Sequence, residues 1–409
     1  MKNICILGAG TAGTMMANHL YKQIDRNQWN LVVIDGEKTH YYQPGFLFIP
    51  FGNATAQSVS RPIRPLLPSS IEYINEPVEQ IDPASNTVKL SSSRTIPYHT
   101  LIIATGSTIE PGQIEGLSGD GWHKNAFDFY TIAGAVALAE KLKTFKGGKL
   151  VVHLAEMPVK CPVAPLEFTF LADSFFHKHK IRDQVEITYV TPLSGAFTKK
   201  RTAETLGHLL SDKKINLVTD FDIARADLDK RVLHSWDEKQ VPFDLLVSIP
   251  TNMGAPVIGR SGLGDDLRFV PTDKHSLRSL NFENIFVIGD ATNLPSSKAG
   301  SVAHFQAEIL TENILCHLAG KPLRASFDGH ANCFIESGHG KALLLDFNYE
   351  TEPLQGQFPL PGIGPFPLLK ESRINHWGKL AFAFIYWNLL LKGIPLPFMG
   401  SAMRMAGKH

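Results

Sequence analysis

The stretch Ile4-Cys5-Ile6-Leu7-Gly8-Ala9-Gly10-Thr11-Ala12-Gly13 decides the fold. Its four apolar residues predict a buried strand, and the glycines a tight turn. The spacing of Met15, Met16 and Leu20 predicts a helix over 14–22. Strand, glycine turn and helix in that order make GxGxxG a dinucleotide-binding signature. Gly8 permits the turn, Gly10 lets a pyrophosphate approach the backbone, and Gly13 allows helix and strand to pack closely. The helix N-terminus adds free amides and the positive end of its dipole. The next strand, 31–34, runs into Asp35, placed to bind ribose hydroxyls.

Two later segments extend the pattern. Leu101-Ile102-Ile103-Ala104-Thr105-Gly106 is an apolar strand ending in Ala-Thr-Gly, and Asn284-Ile285-Phe286-Val287-Ile288-Gly289-Asp290 is another ending in Gly-Asp. Read alone, Asp290 also suits a helix N-cap. In this order the three elements resemble the pyridine-nucleotide–disulfide oxidoreductase superfamily. The resemblance implies an α/β fold with two Rossmann-like (FAD/NAD(P)-type) domains. It also implies FAD held through Thr105, Gly106, Gly289 and Asp290, the last on the ribityl chain.

A second dinucleotide fold is expected to start at the strand 149–154. There Ala155-Glu156-Met157-Pro158-Val159-Lys160-Cys161-Pro162-Val163-Ala164-Pro165 replaces a second glycine turn. Prolines remove amides that a pyrophosphate needs, so the reading opposes a bound nicotinamide nucleotide. The expected layout is an FAD-binding domain over 1–112 and 271–325, a second Rossmann-like domain over 113–270, and a C-terminal region over 326–409.

Composition sets the outer bounds. The 409 residues suit two or three domains, and 44% hydrophobic with 19% charged residues supports a large core. A formal net charge of +1 gives no global field for nucleic acid. No apolar run approaches the roughly 20 residues needed to span a bilayer. The start shows no basic leader, so a cytoplasmic location is expected.

The four cysteines, Cys5, Cys161, Cys316 and Cys333, form no CxxC, which disfavours a metal site. Cys5 and Cys316 fall in a strand and a helix and read as core. Cys161 and Cys333 fall in loop-like segments. Lys160–Pro165, Gly289–Lys298, the segment Ala331–Gly338 around Cys333 and the tail Tyr386–Gly393 together resemble the sulfide:quinone oxidoreductases, most closely the mitochondrial-type (type II) branch. The resemblance runs nearly the whole chain. It implies a redox-active Cys161–Cys333 disulfide, with the persulfide forming on Cys161 and the flavin-facing thiolate on Cys333. It also implies sulfide and a small sulfur acceptor as substrates, and membrane quinone as electron acceptor. Lys298 then lies near the flavin, Pro44 along it, and the Val78 backbone at the adenine. Glu167, six residues past Cys161, matches a candidate proton handler of bacterial members and otherwise reads as a solvated helix residue. No cysteine occurs over 125–131, so the FAD is expected to be non-covalent.

The tail explains how such an enzyme would reach quinone. Leu380–Leu391 is apolar and too short to span, and it is expected to lie in the interface as a monotopic helix. Arg373, Lys379, Lys392, Arg404 and Lys408 leave the charge after Glu371 entirely basic, as an anionic membrane face would favour. Trp377, Tyr386 and Trp387 suit the headgroup level, and the Pro-rich stretch 358–367 reads as an irregular loop. A core or dimer helix is the competing account, and a homo-oligomer is compatible with it.

Three other functions remain open. A type II NADH:quinone oxidoreductase shares the fold and tail but needs the missing glycine turn. A cytochrome-linked sulfide dehydrogenase needs export. A non-catalytic flavin binder leaves the two cysteines unexplained.

Overall fold

The computed structural model describes residues 1–396 and 399–409. Lys2–Leu7 forms the centre of a five-stranded parallel sheet. It pairs with Trp29–Asp35 on one side and Thr100–Ile103 on the other; Ile285–Val287 and Glu72–Asn75 are the outer strands. The parallel strands are near-continuous apolar runs because both faces are covered. Ile4 and Ile6 pack with Met15, Met16 and Leu20 of the helix Thr11–Tyr21. Cys5 and Leu7 face the opposite core, with Ile81, Val88 and Ile96 of a three-stranded antiparallel sheet. The carboxyl ends of the central strands open onto one crevice, where open α/β sheets bind ligands.

A second parallel sheet has the order Ala126–Phe127, Leu245–Ile249, Gly148–Leu154, Val185–Val190, Asn216–Val218. The helix Ala164–Lys178 packs on it and carries a buried face of Leu166, Phe168, Phe170 and Phe176.

The C-terminal region brings two hairpins and a helix back to the crevice. Ala331–Gly338 pairs with Lys341–Phe347 and lies against the helix Ala164–Lys178. Cys333 therefore sits in a strand, not in a loop. The Pro-rich stretch is likewise ordered: Gly356–Leu360 pairs with Gly364–Leu368, Pro359 opposite Pro365. A two-stranded ribbon tolerates these prolines because an isolated ribbon has two edges where no ladder bond is required.

The helix Arg373–Ile385 follows, capped by Ser372 Oγ accepting from Asn375 N, and passes into a π-turn over Tyr386–Leu390. The turn divides the apolar segment. Tyr386, Trp387, Leu390 and Leu391 are buried, whereas Trp377, Leu380 and Phe384 are 64%, 51% and 68% exposed. Tyr386 and Trp387 are thus core residues, not headgroup anchors. Tyr386 Oη lies 2.7 Å from both His40 Nε2 and Thr11 Oγ1, and Arg61 stacks over Trp387. Two of the five basic residues also turn inward: Lys379 pairs with Glu167, and Lys408 with Asp346. No described helix is long and apolar enough to cross a membrane.

Candidate active site

The three glycines of the first turn have three different surroundings. Gly8 has φ +96°, and a Cβ there would meet the Ala104 carbonyl oxygen at 2.5 Å. A Cβ on Gly13 would overlap the Gly8 carbonyl oxygen at 1.8 Å. A Cβ on Gly10 would meet nothing within 4 Å, because that residue borders an open cavity of ≈ 520 Å³. The helix N-cap is Gly10 itself, with no side chain covering the first amides. Asp35 lines the same cavity and accepts from Ala9 N at 2.5 Å and Glu37 N at 2.8 Å. Each carboxylate oxygen keeps a further lone pair for a hydroxyl.

Pro44, Thr105, Gly106, Gly289 and Asp290 line the same cavity, Thr105 directly beside Gly8. Thr105 Oγ1 is buried without a partner, an orphan that a bound polar group would satisfy. A second helix, Gly300–Leu318, opens towards the cavity with no side-chain cap. Its dipole favours negative charge there. Lined by glycines and by two helix N-termini without side-chain caps, the cavity fits FAD.

Lys298 borders this cavity, but its ammonium is held by the Asp290 and Thr292 carbonyls and lies 3.9 Å over the Phe269 ring. Burial pushes it down to about 8, against the pull of Asp290 and then Asp265. It braces the Gly-Asp loop. Lys160, which the sequence reading passed over, is also buried beside the cavity and donates to the Ser107 carbonyl at 3.3 Å. Burial lowers it too, while Asp290 and Asp128 oppose. Val78 lies outside the lining. It pairs with Leu90, and its carbonyl accepts from Arg260.

Cys161 occupies the loop where a second phosphate-binding turn would open. Its N–H donates to the Lys298 carbonyl at 2.6 Å, and its carbonyl accepts from Ala164 N and Tyr130 Oη. These bonds hold it at φ +49°, the left-handed region, which costs a β-carbon-bearing residue energy and persists only where the surroundings enforce it. Cys333 arrives from the hairpin strand, and both thiols line the one cavity. Burial pushes both up. Cys333 reaches about 12, with Lys379 opposing the rise and Glu167 adding to it. For Cys161, Glu167 adds to the burial effect, Lys379 opposes, and charge on Cys333 disfavours charge on Cys161. Cys5 is fully buried in the first strand, away from this cavity.

Glu167 is fully buried, not solvated. Its Oε1 accepts from Lys379 Nζ at 2.7 Å and from Glu336 N at 2.9 Å, while Oε2 has no partner among the described residues. Burial works against the Lys379 ammonium, but Glu167 and then Cys161 outweigh it and hold the charge. Beyond Lys379 the cavity becomes apolar, walled by Phe358, Phe366, Phe382, Leu396 and Met399.

The chain is 26% identical to the mitochondrial sulfide:quinone oxidoreductase of Schizosaccharomyces pombe, over 95% of this chain and 90% of that one. The Mus musculus enzyme of the same name is also 26% identical, over 95% and 86%. The crystal structure of sulfide:quinone oxidoreductase from Aquifex aeolicus superposes with a TM-score of 0.81 at 21% identity, covering 96% of this chain and 92% of that one. Residues 2–307 match the family described as pyridine nucleotide-disulphide oxidoreductase. With two parallel dinucleotide-type sheets and a cavity shaped for a flavin nucleotide, the chain belongs to the pyridine nucleotide-disulphide oxidoreductase family and is an FAD-dependent oxidoreductase.

Proposed function

We propose that this protein is a sulfide:quinone oxidoreductase in which Cys161 and Cys333 are the redox pair. The observation that carries the reading is their meeting at one cavity with Gly10 and Asp290, although the two cysteines come from different domains. The nicotinamide alternative is disfavoured by the loop after Leu154. It is hydrogen-bonded through Ala155 N to Ile249, Lys160 N to Asn252 Oδ1 and Cys161 N to Lys298, and it carries no glycine turn.

In the oxidised enzyme the two thiols form a disulfide. Hydrosulfide attacks Cys161 Sγ, forming a new S–S bond while the Cys161–Cys333 bond breaks and Cys333 leaves as a thiolate. A thiol acceptor then takes the outer sulfur and the disulfide re-forms, releasing two electrons. FAD held by the cavity residues would supply the two-electron acceptor between the thiols and quinone. In sum, HS⁻, RSH, quinone and one H⁺ give RSSH and quinol.

The residues serve this sequence through charge and shape. Lys379 opposes the burial penalty on both thiols. Gly8, Gly10, Gly13, Asp35, Pro44, Thr105, Gly106, Gly289 and Asp290 cradle non-covalent FAD, while Lys298 sets the Gly-Asp loop. The Phe358, Phe366 and Phe382 vestibule takes the quinone. Trp377, Leu380 and Phe384, at i, i+3 and i+7 on one helical face, place that vestibule at a membrane surface.

Anaerobic mixing with sulfide or NADH, followed by flavin absorbance, tests the proposal. Sulfide is expected to bleach the flavin, and a short-chain quinone to restore it. Bleaching by NADH and not by sulfide overturns the reading.

A further inference from the structure

The net reaction takes up one proton, and the charged pair nearest the thiols is withdrawn from water. Glu167 is fully buried and Lys379 nearly so. A run of polar groups lies between them and solvent, its inner link made by a main-chain N–H. Glu336 follows Cys333 along the hairpin strand and is 1% exposed. Its backbone N–H holds Glu167, and both of its carboxylate oxygens lie 2.9 Å from His376 Nδ1. His376 stands one helical turn before Lys379 on the helix Arg373–Ile385, with its side chain 23% exposed.

We infer that His376 and Glu336 form the proton port of the active site, passing a proton from solvent to the Glu167–Lys379 pair and on to the reduced quinone. Resting on the quinone-reductase reading, the port uses the unpartnered Glu167 Oε2 as the vacant acceptor at its inner end. The groups facing Glu336 are His376 and Lys379 on the helix and Glu167 on Ala164–Lys178. Burial raises the Glu336 carboxyl, with the His376 contact opposing and Glu167 reinforcing the rise. A carboxyl raised in this way takes up a proton from the imidazolium more readily than an ordinary one. In each turnover His376 takes H⁺ from water, Glu336 accepts it from Nδ1, the protonated carboxyl turns from His376 towards Glu167 Oε2 to hand it to the inner pair, and it ends on a quinol oxygen.

The test separates the half-reactions. Holoenzyme reduced by light or by sulfide is mixed with a short-chain ubiquinone in a stopped-flow instrument. In Glu336→Gln and His376→Ala, reoxidation is expected to slow by roughly tenfold or more above pH 7, while bleaching by sulfide changes by less than about twofold. Added imidazole restores the rate of His376→Ala, which a purely structural bond would not allow. Unchanged reoxidation, loss without rescue, or equal loss in both half-reactions overturns the port. Should Glu336→Gln fail to fold, the partly exposed His376→Ala carries the test alone. Wild-type flavin that sulfide fails to bleach sinks the sulfide reading instead, and light-reduced enzyme still reports on the port.

Discussion

Lys379 Nζ lies 2.7 Å from Glu167 Oε1, joining the C-terminal helix to the helix that follows Cys161. Both charges are withdrawn from water, so removing one strands the other. Lys379→Met is expected to destabilise the protein by about 3–5 kcal/mol, whereas Lys379→Met with Glu167→Leu regains most of that. Thermal melting of the three proteins checks this. A double variant no more stable than the single one would show that the pair does not behave as a coupled unit.

The cysteines separate by role. Cys161→Ser and Cys333→Ser are expected to abolish bleaching of the flavin by sulfide, since either leaves no disulfide to open. Cys316→Ser, in the helix Gly300–Leu318, leaves bleaching intact. Equal losses in all three would discredit the assignment.

The glycine turn allows fold and cofactor binding to be tested apart. Gly10 has an ordinary φ of −72° and open space where a side chain would stand. Gly10→Val is therefore expected to fold yet purify without flavin, whereas Gly13→Ala, driven into the Gly8 carbonyl, lowers stability by several kcal/mol. Yellow, fully loaded Gly10→Val protein would place the pyrophosphate elsewhere.

Acid should unfold the protein early. Burial lowers His19 and His304 from 6.5 to about 4, and His153 to about 3. The unfolded chain binds these protons first, so stability is held above pH 6.5 and lost as pH falls through the window below it. At pH 5 each histidine costs roughly 2 kcal/mol relative to neutral pH. His153→Gln, in the second sheet, is expected to flatten the fall of melting temperature with pH. Parallel curves for variant and wild type would remove His153 from the account.

The helix Arg373–Ile385 presents its apolar face outward. Trp377→Ser, Leu380→Ser and Phe384→Ser combined are expected to weaken binding to anionic vesicles by roughly tenfold or more, with melting unchanged because these side chains pack little in the protein. Unaltered co-sedimentation with vesicles would move the membrane contact to another surface.

What the sequence made legible was local. Gly8, Gly10 and Gly13 declare their roles because strand, turn and helix adjoin in the chain. The loop around Cys161 announced itself by what replaced a glycine turn. Long-range partnerships were hidden. Lys379 reads as one of several tail cations because its carboxylate stands far away in sequence. Glu167 reads as solvated for the same reason, and Lys160 offers no local signal at all. Cys333 resembles a loop residue because its strand is buried along nearly its whole length and lacks a clean alternation. The outward triplet Trp377, Leu380 and Phe384 was there to be found. Its helical spacing was obscured by the longer apolar run containing Tyr386 and Trp387, which the π-turn folds inward.

The backbone rung between Cys161 and Lys298 has a mechanical consequence. The Cys161 backbone and the loop after Asp290 are fastened main chain to main chain, so the separation of the two loops is not left to side-chain contacts. The second parallel sheet thus acts as a bracket, carrying the Cys161 loop onto the Gly-Asp loop of the first.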